Sequence, residues 1–218
     1  HRRAPGQGCG LRGDGVEPLS HSSDGQPSKP RPTIIGQTPV SRGKYDFIIT
    51  KVRTHTGREF ERGFVRHPGA VVVVALTDDG QLVLIRNWRL SLQQTLVECC
   101  AGTIERARLP DGSWDMSPKG GEQPELCAAR ELEEETGYRA GQMQPLGSFY
   151  TTPGMTDELI YAFLASKLTH VGQRLEPDEH IEVELASVAE TLAMIGDGRM
   201  RDAKSMLAVL VAKQRGLI

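Results

Sequence analysis

The chain has 218 residues, of which 38% are hydrophobic and 25% are charged, so it can bury a substantial core within one domain of ordinary size. Its formal net charge of -2 at pH 7 argues against nucleic acid as the main partner, and no apolar run approaches the length of a membrane span. The four cysteines show no metal-site spacing, which predicts reduced thiols in a cytoplasmic protein.

Residues 1 to about 42 differ from the rest of the chain in composition. They are rich in Gly, Pro, Ser and Arg, and their few large apolar side chains would not offset the entropy of ordering them. We therefore predict a flexible N-terminal tail, either native or left from a longer or recombinant sequence, since the chain starts at His1 without Met. Asp14, Glu17 and Asp24 disfavour an organelle-targeting segment.

Alternating and apolar runs predict a strand-rich segment after the tail. The predicted strands are, in order, 45–54, 59–66, 70–76, 81–86 and 96–100. The first two are expected to pair around the Thr56-Gly57 turn and to make residues 43–66 an N-terminal strand extension. The next two are expected to pair through the Asp78-Asp79-Gly80 turn.

The segment 121–138 predicts a helix with three carboxylates on one face. Pro124 suits a first helical position, and Gly137 suits the left-handed residue that ends a helix. The acids follow at spacings i, i+3 and i+4: Glu131, Glu134, Glu135. Acids this close repel unless a cation lies between them, and such ligands suit Mg²⁺ or Mn²⁺ together with substrate phosphates. A solvated acidic helix face is the alternative interpretation of the same run.

Two strands and then two helices are predicted in the remainder of the chain. We predict strands at 144–150 and 159–165 and helices at 187–195 and 202–214. In the last helix, Leu207, Leu210 and Val211 are expected to supply the apolar stripe. The order of elements predicts an α/β (α+β) fold.

The complete pattern around the acidic helix resembles the Nudix box, the signature of hydrolases that cleave nucleoside diphosphates linked to another moiety. Glu122 is followed after seven residues by Arg130-Glu131-Leu132, then by Glu134-Glu135 and by Gly137-Tyr138. The resemblance implies a Nudix αβα sandwich over residues 67–218, with a mixed central sheet and the N-terminal antiparallel extension.

The same resemblance implies roles for individual residues. Glu131 and Glu135 would be the primary metal ligands, assisted by Glu134 and by the carbonyl of Ala101. Arg130 would orient the glutamates.

The first glycine of the box departs from the family pattern. The family has five residues between this glycine and the glutamate, but position 116 is Met, and the best candidate is Gly102. Nineteen residues separate Gly102 from Glu122, so about 14 residues are inserted, at roughly 106–119. Turn residues in this stretch predict a surface loop, which would either contact the substrate or a neighbouring subunit or have no role.

Four stretches resemble the group of ADP-ribose pyrophosphatases and related nucleotide-sugar hydrolases. They are His67-Pro68-Gly69-Ala70-Val71, Arg86-Asn87-Trp88-Arg89, Leu96-Val97-Glu98 with Ala101-Gly102, and Thr152-Pro153-Gly154-Met155-Thr156-Asp157-Glu158. In this group, ADP-ribose hydrolysis is marked by a proline 16 residues after the last glycine of the box. Here that glycine is Gly137 and the proline is Pro153. The resemblance implies substrate contacts from Glu98, Pro153, Gly154 and Glu158.

Two further sets of residues are assigned with alternatives. Arg89 is expected to contact a phosphate or the terminal ribose, and Trp88 to stack on adenine, unless they are a surface arginine and a core tryptophan. An acid on a mobile loop assists the attacking water in several members of the group, and the candidates here are Glu176, Asp178 and Glu179. An exposed acidic turn explains the same residues.

The sequence therefore predicts a Mg²⁺-dependent hydrolase, with Mn²⁺ as a substitute, that converts ADP-ribose to AMP and ribose 5-phosphate. The alternatives are a pyrophosphatase for GDP-mannose or another nucleotide sugar and, in a different class, a non-hydrolytic nucleotide-sugar sensor. The resemblance also implies a homodimer joined through the N-terminal strands. We expect neither nucleic acid nor membrane as a partner.

Overall fold

The computed structural model describes residues 30–117, 119–177 and 179–218. The predicted tail lies outside these ranges up to position 29, as do Pro118 of the insertion and Asp178 of the acidic loop. The described chain forms a small N-terminal sheet, followed by a larger sheet with helices on both faces. No helix in these ranges is long and apolar enough to cross a membrane.

The N-terminal sheet has three antiparallel strands, β1 (Thr33–Ser41), β2 (Asp46–Arg53) and β3 (Glu59–Arg66), in that order. The pairing of β2 with β3 confirms the predicted strand pair. β1 corrects the prediction of a flexible tail over residues 1–42, because it lies within that range. All of its residues are exposed, so its sequence lacks the apolar pattern of a half-buried strand although its backbone pairs with β2.

The larger sheet is mixed and has seven strands. In chain order they are β4 (Ala70–Leu76), β5 (Gln81–Arg89), β6 (Gln94–Glu98), β7 (Cys100–Thr103), β8 (Tyr138–Tyr150), β9 (Leu159–His170) and β10 (Ile181–Ser187). The spatial order is β10-β5-β4-β9-β8, with β6 paired to β5 and β7 to β4. Only β4 and β9 run parallel within the described residues. The predicted strand 96–100 is divided at Cys99, whose backbone N–H donates to Ser205 Oγ at 2.8 Å.

Helix α1 (Pro124–Thr136) covers one face of this sheet. Proline occupies its first turn, and Gly137 ends it in the left-handed conformation, with φ of 73° and its N–H bonded to Glu133 O. The cluster beneath α1 includes residues from β4, β7 and the helix itself: Val71, Val73, Cys100, Cys127, Ala128, Leu132. The acidic box therefore lies on a helix that is held by a fully buried apolar face.

Helices α2 (Val188–Asp197) and α3 (Ala203–Gln214) cover the opposite face, which completes the predicted αβα sandwich. The predicted stripe of α3 is wrong for Leu207 and Leu210, which are exposed. The buried face of α3 instead consists of small residues: Ser205, Ala208, Val209, Ala212. Small side chains let the helix pack closely against β4, so the large apolar residues remain on its outer side.

Candidate active site

The acidic face of α1 packs against β7. Glu135 is 4% exposed, and its Oε2 accepts a hydrogen bond from the backbone N–H of Ala101 at 3.0 Å. A Cβ at Gly102 would overlap the carboxylate of Glu131, so glycine at this position leaves the carboxylate room to lie where it does. Two acids of the helix therefore lie directly against the backbone of β7.

Arg130 binds the other acids of the box. Its Nε and Nη2 donate to the two oxygens of Glu122 at 3.0 and 2.9 Å. Its Nη1 lies 2.9 Å from Glu131 and 3.0 Å from Glu134. These contacts raise the pKa of Arg130, first through the hydrogen bond to Glu122, so the guanidinium stays charged. The geometry fits the predicted orienting role of this arginine.

Glu131 and Glu135, the two acids that lie against β7, have raised pKa values. Burial raises the pKa of Glu135 to about 7 and also raises the pKa of Glu131, and the negative charge of Glu179 adds to both shifts. A desolvated carboxylate favours either protonation or a nearby cation.

A cation is chemically suited to this face. The donors are hard carboxylate oxygens on one helix face, and Gly102 keeps the space beside Glu131 free of a side chain. No three acidic, His or Cys side chains of the described residues are already arranged to hold a metal ion. Glu131 and Glu134 point to Arg130, whereas Glu135 points to the Ala101 N–H. The donor set fits Mg²⁺ or Mn²⁺, and the predicted ligand role of the Ala101 carbonyl stays a prediction.

These acids lie in the wall of a cavity of about 600 Å³. The structure brings together in this wall the following predicted site residues: Trp88, Arg89, Ala101, Arg130, Glu131, Glu134, Glu135, Glu176, Glu179. The Trp88 side chain is 46% exposed, which excludes the alternative of a core tryptophan. The volume is in the range of pockets that bind cofactor-sized ligands.

Glu98 lies outside the cavity wall of this chain, and its predicted substrate contact stays a prediction. It is fully buried and binds two cations: Arg89 Nε donates to its Oε1 at 2.7 Å, and Lys204 Nζ donates to its Oε2 at 2.7 Å. Lys204 is also 2.8 Å from Asp202, which caps α3. Glu98 therefore fixes the direction of Arg89 and ties β6 to the last helix.

The loop with Pro153, Gly154 and Glu158 also lies outside the cavity wall of this chain. Its backbone bonds to β3, with Val65 N–H donating to Met155 O at 2.9 Å. Glu158 Oε1 is 3.4 Å from Nε2 of His67. The loop is therefore anchored to the N-terminal sheet, and its predicted substrate contacts stay predictions.

Two of the three candidate acids for water activation can be compared. Glu176 and Glu179 both line the cavity, and the backbone N–H of Glu176 donates to Glu179 Oε2 at 2.9 Å. Glu179 is the one whose charge affects Glu131 and Glu135. Asp178 lies outside the described residues.

Sequence reasoning missed several residues of the cavity wall. These are Lys44, Tyr45, Asn87, Glu105, Arg106 and Trp114. Trp114 is one of two tryptophans in the chain and lies within a polar insertion. A large aromatic residue in such a loop was the signal that could have indicated a binding role.

Comparison with known proteins gives consistent results. Residues 65–208 match the family described as NUDIX domain. The chain is 35% identical over 178 residues to a Bacillus subtilis (strain 168) protein named ADP-ribose pyrophosphatase, which covers 80% of this chain and 89% of that protein. It is 36% identical over 163 residues to the methanol dehydrogenase activator of Bacillus methanolicus, over 74% and 80% of the two chains.

More distant proteins agree with this match. The GDP-mannose pyrophosphatase of Yersinia pestis (strain Pestoides F) is 28% identical over 181 residues, which are 78% of this chain and 83% of that protein. A solved structure titled as an ADP compounds hydrolase superposes with a TM-score of 0.70 at 18% identity, over 87% of this chain and 96% of that one. At that identity the superposition concerns the fold alone.

Proposed function

We propose, from the premise that this chain belongs to the NUDIX family, that it hydrolyses the pyrophosphate bond of ADP-ribose to give AMP and ribose 5-phosphate. One observation carries the proposal. The acids of α1 converge, partly desolvated, on a cavity that also holds Arg89. A pyrophosphate is heavily anionic, so a site for it needs both cations and the means to direct water at phosphorus.

The residues of the chain take distinct parts in this reaction. Glu131 and Glu135, with Glu134, would hold Mg²⁺ or Mn²⁺, which neutralises phosphate oxygens when bound. Arg130 keeps the glutamates in place, and Arg89 binds phosphate with the direction that Glu98 gives it. Glu179 is our candidate to accept a proton from the attacking water, ahead of Glu176, because its charge acts on the acid cluster.

GDP-mannose or another nucleotide sugar is the second candidate substrate, since a relative named GDP-mannose pyrophosphatase matches over most of both chains. The chemistry would be the same and the base and sugar would differ. A non-hydrolytic sensor is the third and least supported alternative, because the acids of the box are all present.

We infer that the chain works as a homodimer in the cytoplasm. β1 exposes the apolar side chains of Ile34 and Val40, which a second copy would cover. The loop with Pro153 lies against β3 rather than in the cavity of its own chain, so a dimer would bring this loop to the cavity of the other copy. Three buried cysteines of the described residues are free thiols, as a reducing compartment permits. Sedimentation of the full chain and of a version lacking residues 1–41 tests the dimer, and monomers in both would exclude it.

The test of activity compares two variants of the same helix. Purified protein is assayed with ADP-ribose, GDP-mannose, UDP-glucose, NADH and diadenosine polyphosphates, with Mg²⁺ and with EDTA. We expect Mg²⁺-dependent hydrolysis with a preference for ADP-ribose, and Glu134→Gln should lose it while remaining folded. Glu133→Gln is the matched control, because Glu133 binds Arg139 and Arg174 on the outer face of α1. An unaffected rate in Glu134→Gln would contradict the assignment.

A further inference from the structure

The insertion at 106–119 has a defined fold within the described residues. Its two ends are joined by a hydrogen bond from the Ala107 N–H to Gly120 O at 2.9 Å, and Asp115 N–H bonds to Ala107 O at 2.9 Å. Arg108 and Trp114 form an isolated β-bridge. These bonds give the described part of the insertion a compact, hydrogen-bonded structure, which we call the double turn.

One arginine joins this double turn to the N-terminal sheet. Arg108 Nη1 and Nη2 donate to the two carboxylate oxygens of Asp46 at 2.7 and 2.8 Å. Asp46 is buried at the start of β2, and the hydrogen bond from Arg108 lowers its pKa, so this carboxylate stays charged. A bidentate pair of this kind fixes both distance and orientation. We call this pair the Arg108–Asp46 clamp.

The clamp holds Trp114 in the wall of the cavity. The Arg108 guanidinium carbon lies 3.2 Å from the centre of the Trp114 ring. The ring lines the cavity beside Lys44 and Tyr45, which precede Asp46 in the chain. The indole Nε1 of Trp114 is buried and has no hydrogen-bond partner in the described part of the chain. A buried donor without a partner is unusual and requires an explanation, of which an additional hydrogen-bonding group at this wall is one.

The cavity wall has two groups of aromatic and polar residues with different chemistry. The group on β5 combines the exposed ring of Trp88 with the amide of Asn87 and with Arg89, which suits a planar base next to a phosphate. The lining residues on the insertion and on the segments next to it include the Trp114 ring and a hydroxyl, an ammonium and a carboxylate, from Tyr45, Lys44 and Glu105; we call these the second group. Such mixed donors and acceptors suit a ring with several hydroxyl groups.

We propose that the insertion is the sugar-binding wall of this site, with Trp114 as the residue that contacts the terminal sugar and the Arg108–Asp46 clamp as its positioning element. This inference rests on the proposed function, because a nucleotide sugar places its base and its sugar on either side of the pyrophosphate. The base then lies with the Trp88 group, and the sugar lies with the Trp114 group. The insertion thereby selects substrates by their sugar.

The test uses two series of substrates. In the sugar series, ADP-ribose, ADP-glucose and ADP-mannose share a base; in the base series, ADP-glucose, GDP-glucose and UDP-glucose share a sugar. We expect Trp114→Ala to change the ratios of kcat/KM within the sugar series by about tenfold, mainly through KM, and to leave the ratios within the base series within about twofold. Trp114→Phe, which keeps a ring and removes the N–H, should give a smaller change of the same kind.

Leu109→Ala is the matched control, because Leu109 lies in the same insertion, is 43% exposed and does not line the cavity. It should leave both series unchanged. An equal loss of kcat/KM across both series in Trp114→Ala would mean a merely structural role and would overturn the proposal. A change confined to the base series, or no change in either, would overturn it as well.

Equilibrium binding separates this inference from the proposed activity. Calorimetry with ADP-ribose and with AMP, in EDTA to stop turnover, measures what the sugar adds to affinity. We expect Trp114→Ala to weaken ADP-ribose about tenfold and AMP hardly at all. A wild-type chain that binds in this way but hydrolyses nothing overturns the proposed function alone. An unchanged affinity ratio in Trp114→Ala overturns the sugar-binding wall alone.

Discussion

Two buried carboxylates of this molecule lie in contrasting electrostatic surroundings. Glu98, between β6 and α3, is bound by the guanidinium of Arg89 and the ammonium of Lys204. Glu135, on α1, accepts from a backbone N–H, and no Lys or Arg of the described residues forms an ion pair with it. Burial raises the pKa of Glu135 to about 7. Both acids are buried, but they differ in whether the protein supplies a cation. Glu98 has fixed cationic partners and is structural, whereas Glu135 has none and is suited to bind a metal cation.

The largest expected effect is the loss of hydrolysis on substitution of Glu135, the buried acid that has no cationic partner. Glu135→Gln keeps the shape of the side chain but removes its charge, so hydrolysis should fall by about a hundredfold or more. The free energy of unfolding should stay the same or rise, because a buried charge no longer has to be desolvated. Steady-state assays and urea unfolding measure the two quantities, and retained turnover with lost stability would reverse the comparison.

Glu98→Gln should do the opposite. It leaves Arg89 and Lys204 without their shared counter-charge, and we expect the free energy of unfolding to fall by about 3 kcal/mol. The KM should rise as well, since Arg89 loses the group that directs it into the cavity. Urea unfolding in parallel with Glu135→Gln gives the comparison directly. Wild-type stability in Glu98→Gln would show that the two acids do not differ as described.

His67 extends the comparison to a buried base. Burial lowers the pKa of His67 below its usual 6.5, against the opposing charge of Glu158, and its Nδ1 accepts from the Gly69 N–H at 3.0 Å. The stability that neutral His67 contributes is fully present above pH 6.5 and is lost as the pH falls through the lower folded pKa.

The wild-type melting temperature should therefore decrease between pH 7 and pH 5.5, by the equivalent of about 1 kcal/mol. His67→Gln, which stays neutral and can still accept and donate hydrogen bonds, should show a flatter profile over the same range. Parallel slopes for the two proteins would mean that other groups dominate this pH dependence.

The smallest effect is expected at an exposed ion pair, which calibrates the others. Arg199 binds Asp197 and Glu190 on the surface near the end of α2. Water screens such pairs, so Arg199→Ala should not change the melting temperature measurably. A clear loss would mean that charge pairing stabilises this protein regardless of burial.

The acidic face of α1 could be predicted because its signals are local. Proline at the start, glycine at the end and acids at helical spacing lie within one segment, and the structure reproduces its bounds. The ion pairs of Glu98 could not be predicted, for the opposite reason. One of its two partners, Lys204, is 106 residues away, so the local sequence does not show that this cation binds Glu98.

The position of the insertion at the cavity could not be predicted either, because it depends on a contact between residues far apart in the sequence. Arg108 reaches Asp46 across 62 residues, and this contact helps to hold Trp114 at the cavity. β1 was missed for a different physical reason. Its side chains are all exposed, so the strand depends on backbone pairing with β2 and leaves no hydrophobic alternation to detect.

Gly102 controls the geometry of the acid cluster although it has no side chain. A Cβ at position 102 would meet the end of the Glu131 side chain, so a substitution would turn this carboxylate away from β7 without altering a charged residue or the apolar core. The glycine thereby sets where the Glu131 carboxylate lies relative to Glu135.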